Sequence, residues 1–332
     1  MSRRTRFIFL IAGAALLGLL VVRVDLAGVG RSLAAADVRW LGAAVGLLVI
    51  DVLVKALRWR LMVHRLTGAH LDVPSAVTAI LAGVAAASFS PARSVDLAKP
   101  LLLRQRFGVG LATSTGAVLV ERYLDGAALV ILFGVSIALL PVARGSQFQP
   151  ALAAAGLLLV AGIVVIASPE MVRALLTRII RRLPLPHEIR EGSSRVGDAF
   201  ASSLALWRTR RNIWLLLGAS VLAALCEATR LMTVFRAMGE PMGFSGAMLA
   251  FSTANLVAIL ALIPGGIGVA ELSMAGVAAI VLRTQAMGGA IVAAVVLDRV
   301  LSYYLVVGIG ALILVGMSRI TRRETVAGQS DG

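Results

Sequence analysis

The sequence predicts an all-α integral membrane protein, a polytopic bundle of about six full spans and two re-entrant helical hairpins. Three observations predict this class. Hydrophobic side chains make up 59% of the 332 residues and charged ones only 15%, and the mean hydropathy is +0.93, which is too apolar for an ordinary soluble protein. Arginines gather in short segments between long apolar runs. Two apolar stretches are interrupted around a proline, which ends or kinks a helix.

Six apolar stretches are candidates to cross a bilayer, which takes roughly 20 predominantly apolar residues in a helix. We expect the first to be retained, because no convincing signal-cleavage site follows it and further spans do. Cytoplasmic loops carry an excess of arginine and lysine, which predicts a multi-pass protein with both termini and the basic segment 169–212 in the cytoplasm. The expected spans are Phe7–Val22, Trp40–Leu57, Gly110–Leu140, Ala151–Ala167, Ile213–Met238 and Gly288–Met317.

Two further stretches are too short or too broken to cross, and we expect each to enter and leave on one side of the membrane. Non-helical backbone at membrane depth survives only inside protein or beside water. The glycines near the second tip allow positive φ, and a helix that restarts there has amide groups free to hold an anion. A plain helix break is the open alternative. The predicted hairpins are 73–106, with its tip at Pro91, and 244–283, with its tip at Pro264, Gly265, Gly266 and Gly268.

The two halves of the chain repeat a weak but ordered pattern. Trp40, Arg58, Gly68, Pro91 and Glu121-Arg122 recur in order as Trp214, Arg230, Gly239, Pro264 and Asp298-Arg299. The charge-derived topology starts one half outside and the other inside, so the repeat is expected to be inverted, as in secondary transporters. The predicted divisions are an N-terminal helix and external loop (1–39), repeat 1 (40–140), a connecting span and basic loop (141–212), repeat 2 (213–318) and a cytoplasmic tail (319–332).

Charged residues occur deep inside several predicted spans. Each charge near a helix centre costs about 2.5 to 3.5 kcal/mol if it faces lipid, so these side chains must face one another or a watery cavity. Glu121 with Asp125 and Glu227 with Arg230 have the spacing of one helix face. Structural clips, such as Glu121 with Arg122 and Asp298 with Arg299, are the alternative to a functional cavity, although buried pairs are poor evidence for stability alone.

The composition argues against several other classes. A single cysteine, Cys226, cannot form an intrachain disulfide, and the scattered histidines predict no metal site. The net charge of +15 is explained by membrane orientation, and we expect no nucleic-acid partner, since aromatic residues do not interleave the basic segments. The second tip has no Lys-Ser/Thr after its glycines, so it is not a nucleotide P-loop. No cofactor is expected.

Four motifs together resemble the transmembrane region of lysylphosphatidylglycerol synthases, a flippase-like domain that also occurs in free-standing relatives. They are Arg58-Trp59-Arg60, Pro91-x-Arg93-x-x-Asp96-x-x-Lys99, Glu121-Arg122-x-x-Asp125, and 262–271 with its proline-diglycine and Glu271. The resemblance covers roughly residues 10 to 320. In the family's first hairpin, Pro-Gly-Arg-x-Gly-Glu-x-x-Arg, this chain has Ala92, Val95, Asp96 and Lys99 at the second, fifth, sixth and ninth positions.

The resemblance implies a non-enzymatic protein of the inner (plasma) membrane that moves an anionic phospholipid or a polyprenyl-phosphate-linked lipid between leaflets. We expect no lipid aminoacylation, because the sequence ends a few residues past the last span. The expected headgroup-binding residues are Arg58, Arg93, Arg122, Arg230 and Arg299. The expected gating or proton-coupling residues are Asp96, Glu121, Asp125, Glu227, Glu271 and Asp298.

Two alternatives remain open at the level of sequence. A polytopic glycosyltransferase with a polyprenyl-phosphate sugar donor would use acids in the first external loop, where Asp25 and Asp37 lie. A non-transporting scaffold would bind anionic lipid through the basic loop 169–212. Membrane lipids with anionic headgroups are the expected partners, and a homo-oligomer or a separate lipid-modifying enzyme stays open.

Overall fold

The computed structural model describes residues 34–88, 96, 98–140, 210–261, 264–284 and 288–316, together with isolated positions between 149 and 198. In these ranges the chain is helical and contains no β-strand. The predicted span 7–22, Pro91, Arg93 and the tail 319–332 lie outside the described residues, as do most of 151–167 and of the basic loop. The continuous described ranges contain eight α-helices: α1 Val38–Thr67, α2 Val73–Ser88, α3 Ala98–Phe107, α4 Leu111–Leu139, α5 Arg210–Ala237, α6 Phe244–Leu260, α7 Val269–Leu282 and α8 Gly289–Arg299.

Four helices of the described part are long and apolar enough to cross a membrane, and they match four of the six predicted spans. Their bounds are Val38–Thr67, Thr113–Leu139, Asn212–Ala237 and Gly289–Gly316. Large apolar side chains such as Trp214 and Leu312 are exposed on their outer surfaces. An outward apolar surface is what lipid contact requires, so the protein is an all-helical, multi-pass membrane protein.

Helix α1 differs from its prediction by continuing past Leu57 to Thr67. It begins at the N-cap Asp37, whose carboxylate accepts the amide of Arg39 at 2.9 Å, and ends at Gly68, which takes a positive φ of 72°. The basic segment that follows Leu57 is therefore helical. Arg58 and Trp59 are buried in it, because they have partners inside the bundle.

Helices α1 and α5 pack side by side and run antiparallel. The amide of Asp37 donates to the carbonyl of Ala237 at 3.0 Å, Lys55 contacts Glu227, and Arg58 contacts Ser220. Residue numbers rise along α1 while those of its partners fall along α5. The C-terminal ends of the two helices therefore lie at opposite ends of the bundle.

Each half of the described chain has the same order of elements: a long helix, two short helices and a second long helix. In the first half these are α1, α2, α3 and α4, and in the second α5, α6, α7 and the helix that starts with α8. That last helix has a π-helical turn, Val300–Tyr304, and then continues to Gly316. Such turns often mark functional sites.

The second predicted tip is an irregular turn between α6 and α7. Pro264–Gly266 form one turn of 3₁₀-helix, and Gly265, Gly266 and Gly268 all have positive φ. A Cβ on Gly265 would lie 2.0 Å from the Tyr303 hydroxyl oxygen. Only glycine meets both demands, so the helical chain is interrupted at the predicted residues, while the re-entrant path stays a prediction.

Candidate functional site

A cavity of about 370 Å³ lies between helices of both halves. Its volume falls within the range of about 300 to 1,000 Å³ that is usual for small-molecule sites. Its lining includes apolar side chains such as Val84, Leu129 and Phe251, from α2, α4 and α6. It also includes charged side chains. The charged residues that line the cavity are Lys55, Arg58, Lys99, Glu121, Arg122, Asp125 and Glu227.

Arg58 is the most enclosed of the cavity's cations. Its Nη2 lies 2.8 Å from Glu121 Oε1, and its Nη1 contacts Asp125 and Ser220. The side chains of Arg58 and Glu121 are at most 3% exposed. Arg58 thereby connects α1, α4 and α5, and a planar guanidinium suits this role because it offers several donors in fixed directions.

Lys99 supplies the second partner of Glu121. Its Nζ lies 2.6 Å from Glu121 Oε2, 3.6 Å from Asp96 Oδ2 and 4.8 Å from the centre of the Trp59 ring. Both oxygens of Glu121 are thus bound by cations, which is how a carboxylate is kept ionised in an apolar interior. The Asp96 carboxylate lies against α2 where a Cβ on Gly83 would be only 2.3 Å from Asp96 Oδ2.

Arg122 is held less firmly than Arg58, Arg230 and Arg299. Its Nη2 is 3.7 Å from Asp96 Oδ2, too long for a hydrogen bond, and its side chain is 30% exposed. Its Nε is buried and has no hydrogen-bond partner among the described residues. A guanidinium with unused donors at a cavity wall is equipped to bind an anion.

The second half contains two comparable ion pairs, and the one formed by Arg299 is shorter than its counterpart, Arg122 with Asp96. Arg230 Nε lies 2.9 Å from Asp298 Oδ1, which matches the pair of Arg58 and Glu121. Arg299 Nε lies 2.7 Å from Glu271 Oε1, with its side chain 6% exposed, which matches the pair of Arg122 and Asp96. Arg299 also lies over the Tyr303 ring. In each half, an arginine in the last long helix thus pairs with an acid from the segment between the two long helices.

The backbone amide at the second tip is already occupied. Gly268 N–H donates to Glu271 Oε2 at 2.7 Å, in the manner of a capping box. From the sequence we expect the free amides of the restarting helix to bind an external anion. The Gly268 amide does not fit this expectation, because the chain's own Glu271 carboxylate occupies it. Among the tip glycines, Gly266 lines the cavity.

The predicted charged residues form ion pairs with residues of other helices rather than with neighbours on their own helix. Glu121 pairs with Arg58 and Lys99, so the clip of Glu121 with Arg122 is replaced by partners far away in sequence. Arg230 and Arg299, predicted to bind a headgroup, lie in buried ion pairs with Asp298 and Glu271.

Several cavity residues were absent from the predicted set. Lys55 could have been found from its i, i+4 spacing from Asp51. Its Nζ lies 2.9 Å from Asp51 Oδ2 and also contacts Glu227. Lys99 appeared only as a hairpin position. Ser220 and Asn255 also line the cavity, and a serine or an asparagine in an apolar helix gives no signal of its own.

Comparison with known proteins agrees with this architecture. A "UPF0104 membrane protein" of Methanothermobacter thermautotrophicus is 28% identical over 327 residues, covering 94% of this chain and 93% of the relative. The family model described as "Lysylphosphatidylglycerol synthase TM region" matches residues 7–310, which include all the helices of the cavity. This membrane chain therefore belongs to the lysylphosphatidylglycerol synthase TM region family.

Proposed function

We propose that the protein is a lipid transporter, which moves an anionic phospholipid or a polyprenyl-phosphate-linked lipid between leaflets through the cavity. The observation that carries this proposal is a lining that contains both charged and apolar side chains. A lipid has both kinds of group, because its phosphate is charged and its chains are apolar. The chains would stay in the bilayer while the headgroup crosses the protein.

Arg122 is the residue that we propose to bind the headgroup phosphate first. It is the cavity arginine with exposed surface and with an unused Nε donor among the described residues. Arginine binds phosphate oxygens through paired, charge-assisted hydrogen bonds. Its present contact, Asp96 at 3.7 Å, is weak enough for a phosphate to replace. Asp96 would then act as the gate that holds Arg122 when the cavity is empty.

The remaining predicted residues take supporting roles in this proposal. Arg58, with Glu121 and Asp125, forms the fixed wall beside Arg122. Arg230 with Asp298 and Arg299 with Glu271 would form the equivalent site of the second half, closed in this state. Arg93 belongs to the first hairpin and is proposed, from the sequence alone, to meet the headgroup at its entry.

An inverted repeat with two re-entrant hairpins is the architecture that we propose for transport. The antiparallel packing of α1 against α5 and the recurrence of the ion pairs support it. Transporters of this design expose one central site to each side in turn. In the state open to the other side, the ion pair of Arg122 with Asp96 would be short and closed, and the pair of Arg299 with Glu271 would be long and open. The basic segments would face the cytoplasm.

A leaflet-exchange assay tests this function. Purified protein is placed in liposomes with fluorescent phosphatidylglycerol, and exchange is compared between the wild type, Arg122→Ala and the matched control Arg106→Ala. Arg106 is an exposed arginine whose ion pair with Asp72 is similar in length, at 3.6 Å. We expect exchange to fall at least tenfold in Arg122→Ala only, since one charge-assisted hydrogen bond to phosphate is worth about 1.5 to 3 kcal/mol.

Other outcomes would overturn the proposal. Transfer of sugar from a polyprenyl-phosphate donor without lipid exchange would identify the glycosyltransferase. If the protein shows neither lipid exchange nor sugar transfer, the non-transporting membrane scaffold is the remaining function. Equal exchange in the wild type and in Arg122→Ala would show that Arg122 does not bind the headgroup.

A further inference from the structure

Five ionisable side chains form a second charged group beside the cavity, and their charges do not balance. Lys55 Nζ lies 2.9 Å from Asp51 Oδ2 and contacts Glu227, while Arg230 pairs with Asp298. Three carboxylates therefore meet two cations, for a net charge of −1 if all are ionised. The neighbouring group is balanced, with three cations and three acids: Arg58, Lys99 and Arg122 against Asp96, Glu121 and Asp125.

Asp51 is the carboxyl at which the excess negative charge is least compensated. Its side chain is only 5% exposed, and its Oδ1 is buried without a hydrogen-bond partner among the described residues. Both oxygens of Asp298, in contrast, face Arg230, and Glu227 is 22% exposed and lines the cavity. A bare carboxylate oxygen in an apolar interior costs several kcal/mol, whereas a neutral carboxyl costs much less.

We propose that Asp51 binds a proton, and that the proton is taken up together with an anionic headgroup in the cavity. The inference rests on the proposed function and names its coupling ion. Only one bond forms: a proton joins the Asp51 carboxylate to give the neutral acid. Lys55 then keeps a single acidic partner, Glu227, and its ammonium group becomes available to a phosphate in the cavity. Binding of proton and headgroup is therefore mutually favourable, as linkage requires.

A proton fits this place better than a metal ion. Calcium and magnesium take six or more oxygen ligands, but here two carboxylates have the Lys55 ammonium between them. Within the described ranges, no group of three or more His, Cys, Asp and Glu side chains is arranged to hold a metal ion.

The groups that act on Asp51 come from its own helix and from α5. Lys55 lies one turn further along α1, and Cys226, Glu227 and Arg230 face it from α5. Helix α2, which also packs against α1, has no charged side chain. The π-helical turn that contacts α1 carries two tyrosines, Tyr303 and Tyr304. Of these neighbours, Lys55 and Glu227 are the two that share the ion-pair cluster of Asp51.

Two measurements on Asp51→Asn test the inference, because this variant has the shape of the neutral acid at every pH. Infrared spectra of the purified protein at neutral pH should show the carbonyl band of a neutral carboxyl, absent from the variant. Exchange of fluorescent phosphatidylglycerol should fall in the wild type by up to about tenfold per pH unit as the pH rises from about 5 to about 9, the limit for one linked proton. The variant should exchange lipid at a constant rate.

Two further variants serve as controls. Asp51→Glu keeps an ionisable carboxyl and should keep the pH dependence. Asp72→Asn makes the same substitution at an exposed acid whose pKa is held below its usual range by hydrogen bonds from Ser75. Because that carboxyl stays ionised across the tested range, its replacement should leave the pH profile unchanged.

Each contrary result has a distinct meaning. A wild-type profile in Asp51→Asn, or a carboxyl band that persists in it, would overturn the inference. Wild-type exchange that does not vary with pH would also overturn it and leave lipid transport standing. Absence of exchange at every pH would defeat the proposed function, and the infrared band would then decide the proton site alone.

Discussion

Replacing Arg299 and Arg122 by alanine should separate a structural ion pair from a binding group. Arg299 is 6% exposed and lies 2.7 Å from Glu271. Its removal leaves a buried carboxylate without its cation, which typically costs about 3 to 5 kcal/mol. Arg122 is 30% exposed and 3.7 Å from Asp96, so its removal should cost at most about 1 kcal/mol.

The assay is thermal unfolding of the two variants in the same detergent. Arg299→Ala should melt well below the wild type, whereas Arg122→Ala should melt close to it. Glu271→Gln in the Arg299→Ala background removes the unpaired charge and should recover part of the loss, because the penalty comes from that charge. Equal melting of both single variants, or no recovery in the double variant, would refute the distinction between the two pairs.

Two further predictions concern packing and orientation. Gly83→Ala should displace the Asp96 carboxylate, which a Cβ would approach to 2.3 Å, and lower stability by about 1 to 3 kcal/mol in the same melting assay. Gly134→Ala, with open space around its Cβ, is the control, and equal melting of both would contradict the contact. Cysteines at His70 and Pro241, in a Cys226→Ala background, should react with an impermeant reagent from opposite sides of the membrane. Labelling from one side would contradict the antiparallel halves; these exposed positions avoid the positive φ of Gly68 and Gly239.

Four of the spans and the turn at Pro264 could be predicted because each follows from local chemistry. An apolar run of sufficient length requires a helix in a membrane, and glycines at Gly265 and Gly266 permit the left-handed backbone that the turn has. The end of α1 could not be predicted in this way. The sequence around Arg58 predicts the end of a span at the membrane surface. In the structure Arg58 is buried within the bundle, where it pairs with Glu121, and the helix continues past it.

Charged residues of the site could be found from sequence, but their pairing could not. A charged residue in an apolar helix can be recognised from the sequence, because its exposure to lipid would cost free energy and it must therefore have a polar partner. Glu121, Asp298 and Arg299 are all predicted on this basis. Their partners depend on which helices pack together. Glu121 and Arg58 are 63 residues apart, and no spacing rule connects them. For the same reason the sequence could not separate Arg122, which faces the cavity, from Arg299, which is enclosed.

Accessibility of the cavity to a headgroup is tested most directly by a cysteine at Gly126, which lines it and has open space for a side chain. In a Cys226→Ala background, a charged thiol reagent should modify Gly126→Cys rapidly in neutral-lipid vesicles and Gly134→Cys, elsewhere on the same helix, slowly. Adding phosphatidylglycerol should slow modification at position 126 only, because the headgroup occupies the cavity. Equally slow modification at both positions, or no protection by the anionic lipid, would contradict a headgroup site between the two halves.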